Sequence, residues 1–402
     1  MFENLLYQNT ARLLSDDIIN KRLPNSLLFS GPASSGKLTC ALELARVLSC
    51  TGPQKGAWIC TCPSCLHQKA LNSPNLLLAG PRDCTLEIKA AAQTFLKALD
   101  DNASYLTATR YLFIRSIRKL TARFSPVLYK DDDKASKISP LIESIDNDLE
   151  ELDTTRELGA KDDVKKSVEA LLKTCEKLED SFMYDAIPVS QIRHISSWAH
   201  YTTDGMKKVV ILENADRMEE SARNALLKIL EEPPEGTLFI LTTERRGAVM
   251  QTILSRVRTY TFSDRTASQQ QEVLKRVFHV ENTEQFSSLN SYLTEFLPVP
   301  ANEINSLATQ FVGQIWRRER PDIEAMIKSC KNFEPRISLK IFFEAIYQNL
   351  EALLSRTDEN NVAKTSEYVG KLVLSAKKAY ESITLYNISP AAALEALYDR
   401  VC

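Results

Sequence analysis

The sequence predicts an α/β protein built on a parallel sheet, and its clearest evidence is one βαβ unit. Residues 209–212 and 238–241 are short apolar runs suited to buried parallel strands. Apolar positions between them recur at helical spacing, namely Ala222, Ala225, Leu226, Ile229 and Leu230. Pro233 and Pro234 end that helix. Strand, crossover helix and strand in this order place acidic residues where open α/β sheets bind ligands.

A second strand–helix junction near the N-terminus indicates the ligand. Residues 26–30 read as a strand, Gly31 to Lys37 (GPASSGK) as a phosphate-binding loop, and residues 38–48 as the following helix. Gly31 and Gly36 let backbone N–H groups turn toward phosphate oxygens, and Lys37 supplies positive charge. The pattern predicts a P-loop for a nucleotide.

Two departures from an active ATPase affect this predicted site. Leu38 stands where Ser or Thr would ligate Mg²⁺, and the nearest hydroxyl, Thr39, lies about 100° further around the helix. Glu213 could contact a metal, but Asn214 follows it where a carboxylate would activate water, and an amide cannot accept that proton. We therefore expect no ATP/Mg²⁺ turnover and an inactive or nucleotide-free site.

These motifs resemble the clamp-loader ATPase family of bacterial DNA polymerase III. The resemblance rests on residues 213–234 (ENADRMEESARNALLKILEEPP), the P-loop, and residues 253–257 (ILSRV), and it covers about residues 1–83 and 187–263. The family includes the gamma and tau motor subunits and the related delta-prime subunit. The degenerate nucleotide motifs look like delta-prime, which keeps the AAA+ fold but does not turn over ATP.

The resemblance implies an architecture and a role. It implies an AAA+ domain at 1–263, a helical lid at 264–301 and a helical collar at 302–402. Arg256 would be an arginine finger, reaching in trans into the ATP site of a neighbouring subunit. No sensor arginine is recognisable in the lid. The implied partners are gamma/tau and delta subunits in a cytoplasmic heteropentamer, with the sliding clamp and primed DNA reached through the complex.

Two other functions are consistent with the sequence. One is an active AAA+ ATPase of the gamma/tau kind, using Lys37, Thr39, Glu213 and an unidentified base. The other is a non-replicative adaptor that keeps the fold and binds other proteins. Turnover gained on substituting Asn214→Glu would favour the first, and failure to associate with motor subunits would favour the second.

Four of the nine cysteines cluster after the P-loop helix, within a predicted zinc module at 50–67. Cys50, Cys60, Cys62 and Cys65 have the spacing C-x9-C-x-C-x2-C, which suits a closed, structural tetrahedral Zn²⁺ site. The related family carries a zinc module at this place, and relative to the family's usual spacing the second cysteine of this chain is displaced by one residue, so His67 is an alternative ligand. The other reading is a reduced, metal-free cluster. No signal peptide is recognisable, which disfavours disulfides.

Charge and hydropathy limit the classes of partner. The 402 residues include 50 basic and 52 acidic side chains, a formal charge of −2, which gives no global electrostatic argument for tight DNA binding. No apolar run reaches the ~20 residues that span a bilayer, so we expect no membrane partner.

Residues 84–186, between the two halves of the resemblance, form an insertion. Two apolar stripes with steps of three and four predict a helical hairpin that turns at 158–160: Ile138, Leu141, Ile145, Leu149 and Leu152 in the first stripe, and Val164, Val168, Leu171, Cys175, Leu178 and Phe182 in the second. A basic stretch precedes them: Arg110, Arg115, Arg118, Lys119 and Arg123. The hairpin is predicted as a solvated element, a docking arm for a protein partner, or a basic stripe touching DNA. Further along, residues 387–390 predict a helix start.

Overall fold

A computed structural model describes residues 1–81, 84–201, 205, 207–355, 362–386 and 388–401. The chain divides into two compact units, Met1–Tyr292 and Leu293–Cys402. The predicted strands and the two strand–helix junctions lie in the first unit.

Five parallel strands form the sheet of the first unit. In chain order they are β1 Ser26–Ser30, β2 Leu76–Ala79, β3 Lys208–Leu212, β4 Thr237–Thr243 and β5 Arg258–Thr261. Their order across the sheet is β2-β3-β4-β1-β5, and every adjacent pair is parallel. The predicted βαβ unit is confirmed, because β3 and β4 pair directly. The carboxyl ends of β1 and β3 therefore lie at the same edge of the sheet.

Helices cover both faces of this sheet. The helices of the first unit, of which the last ends in the second unit, are α1 Thr10–Ile19, α2 Lys37–Ser49, α3 Pro63–Ala70, α4 Thr85–Asp100, α5 Leu106–Thr121, α6 Ala135–Glu151, α7 Lys161–Phe182, α8 Val189–Ala199, α9 Glu220–Glu231, α10 Gln251–Leu254, α11 Ala267–Phe278 and α12 Leu289–Thr294. Alternate strand residues enter two separate cores. In β3, Val210 and Leu212 pack with the insertion helices, whereas Val209 and Ile211 pack with α2. This two-sided burial explains why β3 is a continuous apolar run.

The predicted helical hairpin is confirmed as α6 and α7, which pack against each other. Val168, Leu171 and Cys175 are fully buried along the predicted seam. The hairpin is not a free arm, because α7 also packs on α4 and its apolar stripe belongs to the core on one face of the sheet. The insertion is thus a structural layer of the first unit.

The basic stretch before the hairpin does not form an exposed stripe, because none of its five side chains is exposed. Arg110 donates hydrogen bonds to three carbonyl oxygens in the turn after α6, those of Leu152, Asp153 and Arg156. The other four bind groups within the fold: Arg115 the Lys69 carbonyl, Arg118 Asp146, Lys119 Glu87, and Arg123 Glu213. The positively charged groups of this stretch are therefore occupied by hydrogen bonds and ion pairs within the fold.

The second unit is helical, with α13 Ala301–Trp316, α14 Ile323–Ser329, α15 Ile337–Ser355, α16 Val362–Tyr386 and α17 Pro390–Val401. In its core the ring of Phe342 contacts those of Phe311 and Phe333. The predicted helix start is confirmed at Pro390, and the Ala392 N–H donates to Ser389 Oγ. Asn387, part of the same prediction, lies outside the described residues. Across the described ranges no helix is both long and apolar enough to cross a membrane.

Candidate functional site

The loop predicted to bind phosphate joins β1 to α2, as expected. A Cβ on Gly31 would lie 2.4 Å from the carbonyl oxygen of Phe262, just beyond β5, so no side chain fits there. Gly36 has φ +95°, a conformation that favours glycine. Both glycines are therefore required by the backbone, whether or not a nucleotide binds.

Lys37 is turned onto its own loop. Its Nζ donates hydrogen bonds to the carbonyl oxygens of Gly31 (2.8 Å) and Pro32 (2.5 Å), and the residue is buried. The neighbouring Leu38, whose hydrocarbon side chain has no oxygen to offer Mg²⁺, packs against the apolar core shared by α2 and the sheet. Thr39 is partly buried on the same helix. The ammonium is thus engaged within the loop.

Arg265, which the sequence analysis did not single out, also binds this loop. Its guanidinium donates to the carbonyl oxygens of Ser34 (2.8 Å) and Ser35 (3.1 Å), and to that of Leu6 (3.2 Å). Burial lowers the pKa of Arg265. Its partners are all backbone carbonyls, so no side-chain pattern in the sequence could have indicated the contact. A second cation therefore lies against the P-loop.

Glu213, at the end of β3, is paired with Arg123 from the turn after α5. Their side chains are only 16% and 7% exposed. Burial opposes the charge of Arg123, but the acidic groups of Cys84 and Glu213 raise its pKa. A Cβ on Gly80 would lie 2.9 Å from Glu213, so a glycine leaves room for the pair. The carboxylate that an ATPase would turn toward a metal is held by an arginine of the insertion.

Asn214 takes a left-handed conformation with φ +50°, which asparagine tolerates better than most residues. Its backbone N–H donates to Thr242 Oγ1 at 3.2 Å. The residue at the position predicted to lack a catalytic base therefore has an amide side chain, and its backbone is hydrogen-bonded to β4. The structure offers no carboxylate at this position.

The four predicted cysteines come together. Their Sγ atoms all lie within 4.8 Å of one another, with Cys50 after α2, Cys60 and Cys62 in the loop, and Cys65 in the first turn of α3. The alternative ligand His67 is not part of the cluster, and its Nδ1 lies 3.0 Å from Asn72 Oδ1. The structure therefore favours the four-cysteine set.

The donor set fits a divalent metal with sulfur ligands. Burial opposes ionisation of Cys62, but hydrogen bonds from Thr51 and from the Cys65 backbone lower its pKa to about 5. Burial raises the pKa of Cys65 to about 12, and hydrogen bonds to Cys50 and Cys62 add to that shift. Four thiols this close cannot all ionise without a cation. Four thiolates are the ligands of a structural Zn²⁺ site, in which the metal would fix the loop to α2 and α3.

Arg46 ties this cluster to the P-loop helix. It is 1% exposed, and its guanidinium donates to Glu43 (2.9 Å), to the carbonyl oxygens of Gly56 (2.9 Å) and Ala57 (3.0 Å), and weakly to Cys65 Sγ (3.7 Å). A buried guanidinium next to the cluster compensates part of the negative charge of four thiolates. The cysteine loop is thereby anchored on α2.

Arg256, the predicted arginine finger, follows α10 at the surface. Its side chain is 30% exposed and forms an ion pair with Glu231 at the end of α9. It also donates to the Thr252 carbonyl oxygen at 2.7 Å. Arg256 is therefore not one of the residues described above near the P-loop. It lies on the segment that leads into β5.

Residues 7–131 and 132–266, well over half of the chain, match the protein family described as "DNA polymerase III, delta subunit". The DNA polymerase III subunit delta' of Haemophilus influenzae is 36% identical over 104 residues, which are 26% of this chain and 32% of that protein. The subunit delta' of Bacillus subtilis is 45% identical over 56 residues, 14% of this chain and 17% of that protein. The Bacillus subtilis subunit tau is 34% identical over 98 residues, 24% of this chain and 17% of that protein.

The chain thus spans between 17% and 32% of the length of these curated relatives. A crystal structure of a DNA polymerase III gamma subunit-related protein from Thermotoga maritima is 18% identical, with a TM-score of 0.23, covering 54% of this chain and 79% of that one. The extent of the family match shows that this chain belongs to the DNA polymerase III clamp-loader family, in the group described as "DNA polymerase III, delta subunit".

Proposed function

We propose that this chain is a delta-prime-like, non-catalytic subunit of a DNA polymerase III clamp loader and acts in it as a rigid stator. The observation that carries the proposal is the end of β3, where Glu213 is paired with Arg123 and is followed by Asn214. Hydrolysis needs a metal-binding acid and a group that orients or deprotonates water. The first is neutralised within the fold, and the second is an amide.

The P-loop supports the same proposal. Lys37 and Arg265 both donate to carbonyl oxygens of the loop, and Leu38 replaces the magnesium-binding hydroxyl. A nucleotide would have to turn Lys37 away from its present partners and would find no Ser or Thr beside it. In this proposal the AAA+ fold at 1–263 is kept as a scaffold.

Arg256 would carry the chain's chemical contribution, in the active site of a neighbouring subunit. It is partly exposed, and its partner Glu231 is 51% exposed. Surface ion pairs contribute little free energy, so the guanidinium can exchange Glu231 for a neighbour's γ-phosphate at small cost. An arginine supplied in trans stabilises the charge of the transition state.

The remaining assignments follow the family. Residues 264–301 would be the lid, and the helical residues 302–402 the collar that packs with gamma/tau and delta subunits in a heteropentamer. The chain would help open the sliding clamp for loading onto primed DNA in the cytoplasm. A structural Zn²⁺ held by Cys50, Cys60, Cys62 and Cys65 would stabilise the first domain.

Steady-state ATP hydrolysis by the purified chain, with primed DNA present, tests the proposal. We expect no turnover above that of the matched variant Lys37→Ala, which removes the P-loop ammonium. Turnover that Lys37→Ala abolishes would overturn the proposal and favour an active motor subunit. Failure to associate with the gamma/tau subunit of the same organism would instead favour a non-replicative adaptor.

A further inference from the structure

Residues 264–292, termed the lid segment here, follow β5 and contain α11. In many nucleotide-binding proteins a lid moves over the bound ligand. Here the lid segment belongs to the same compact unit as the sheet. Both ends of α11 are also held by residues of that unit, by Arg265 at one end and by insertion helices at the other.

The buried contact at the C-terminal end of α11 is made by α4. Thr94 Oγ1 shares its proton between two carbonyl oxygens, that of Ala90 on its own helix at 2.9 Å and that of Phe278 at 3.2 Å, and is also hydrogen-bonded to the hydroxyl of Tyr292. Thr94, Phe278 and Tyr292 are each less than a tenth exposed. The rings of Phe278 and Tyr292 lie 5.3 Å apart, so they form one packed cluster around the threonine. Exchanging these contacts for water would require the cluster to open.

The segment before α5 adds a second contact. The rings of Tyr105 and His279 stack with their centroids 3.8 Å apart and their planes within 6°. Burial lowers the pKa of His279, so the neutral ring is favoured in the stack. The ion pair of Lys97 with Glu281 lies alongside at 2.7 Å, but both side chains are at least half exposed, so it adds little. The stack and the threonine cluster are therefore the main contacts.

Arg265 secures the N-terminal end of α11. It stands one residue before Thr266, whose side chain forms a capping box with Gln269 at the start of the helix. Its guanidinium reaches the carbonyl oxygens of Ser34 and Ser35 in the P-loop. The start of α11 is thus bonded directly to the loop over which a lid would move.

We propose that the insertion is a brace: α4 and the start of α5 hold the lid segment in one position relative to the P-loop sheet, so that it does not open and close. The brace deepens the proposed stator role, since a rigid subunit needs a fixed lid. Thr94 of α4 supplies its buried contact and Tyr105, just before α5, supplies its ring stack.

Hydrogen–deuterium exchange of the full-length chain, followed by mass spectrometry, tests the brace. In the wild-type protein we expect α11 amides to exchange as slowly as those of the core helix α9. In the double variant Thr94→Val/Tyr105→Ala, the amide exchange rate of α11 should rise about tenfold, which is the change expected when the variant removes one or two stabilising interactions. The exchange rates of α2 and α9 should stay unchanged. Lys165→Ala, which removes a surface ion pair with Asp100 within the insertion, should leave α11 unchanged.

Unchanged α11 exchange in the double variant would overturn the brace. If exchange rises in every helix, Thr94→Val alone decides, because it removes only the hydroxyl: a rise confined to α11 supports the brace, and no rise overturns it. The experiment needs no nucleotide or partner subunit, so its outcome is separate from the ATP hydrolysis test. The double variant Thr94→Val/Tyr105→Ala should still not hydrolyse ATP, because Leu38 and Asn214 are unchanged.

Discussion

The guanidinium of Arg123 is paired with the carboxylate of Glu213, so a residue of the insertion neutralises the acidic residue at the carboxyl end of β3. The two residues are 90 positions apart in the chain. The pair lies against Gly80, beyond β2, where a side chain would collide with Glu213. The insertion and the altered nucleotide site are therefore one connected structure.

This pair predicts a strong dependence between the two residues. Arg123→Met should destabilise the chain by about 3 to 5 kcal/mol, because it leaves a buried carboxylate without its partner. Arg123→Met/Glu213→Gln should lose less than the sum of the two single variants, since no unpaired charge remains. Denaturant unfolding measures all three free energies. Strict additivity would contradict the coupling.

A substitution at Gly52 should disturb metal binding by the cysteine cluster. A Cβ on Gly52 would lie 2.5 Å from Cys60 Sγ and 3.8 Å from Cys50 Sγ. Gly52→Ala should therefore displace these ligands and reduce bound zinc from one ion per chain to well below one, measured by elemental analysis after purification with Zn²⁺. The control is Gly159→Ala, because a Cβ there meets nothing within 4 Å. Equal zinc in both variants would argue against the four-cysteine site.

A substitution at Gly31 tests whether the backbone or a bound nucleotide requires this glycine. Gly31→Ala would force a Cβ to within 2.4 Å of the Phe262 carbonyl oxygen, which should cost about 1 to 3 kcal/mol of unfolding free energy. The loss should be the same with and without added ATP and Mg²⁺. Gly247→Ala, at an open position, should be near neutral. If ATP stabilised the wild type and not Gly31→Ala, the loop would be a working nucleotide site.

His279 predicts a pH dependence of stability. Burial lowers the pKa of His279 in the folded chain from its ordinary value of 6.5. The unfolded state therefore binds the proton more readily, so the contribution is fully present above pH 6.5 and is lost as the pH falls below it. Unfolding free energies of wild type and His279→Gln, compared from pH 8 to pH 5, should differ in slope below about pH 6.5. Parallel curves would contradict a partly buried ring that is kept neutral in the fold.

The sequence predicted those features that depend on local pattern. Continuous apolar runs located β3 and β4 because both faces of the sheet are covered, and cysteine spacing located the sulfur cluster. Steps of three and four located α6 and α7. Such periodicity reports which face of a helix is buried but not what buries it. The sequence therefore leaves open a solvated hairpin or a docking arm, whereas in the structure the hairpin packs onto α4.

Arginine contacts were beyond prediction for a different reason. Arg265 binds backbone carbonyls, which every residue has, so no residue type marks its partners. Arg123 pairs across a large sequence separation, and the sequence pattern of five nearby basic side chains left a basic stripe touching DNA as one alternative. A long cation can satisfy its charge anywhere within reach of its stem, and only the tertiary fold decides where.

The most direct test of the central claim is ATP hydrolysis by the reconstituted complex with the gamma/tau and delta subunits of the same organism. Adding the wild-type chain should stimulate hydrolysis by the motor subunits, and Arg256→Ala should lower the stimulated rate about tenfold or more while still entering the complex. Arg22→Ala, an exposed arginine on another segment, is the control. Equal stimulation by wild type and Arg256→Ala would contradict a role in its neighbour's active site.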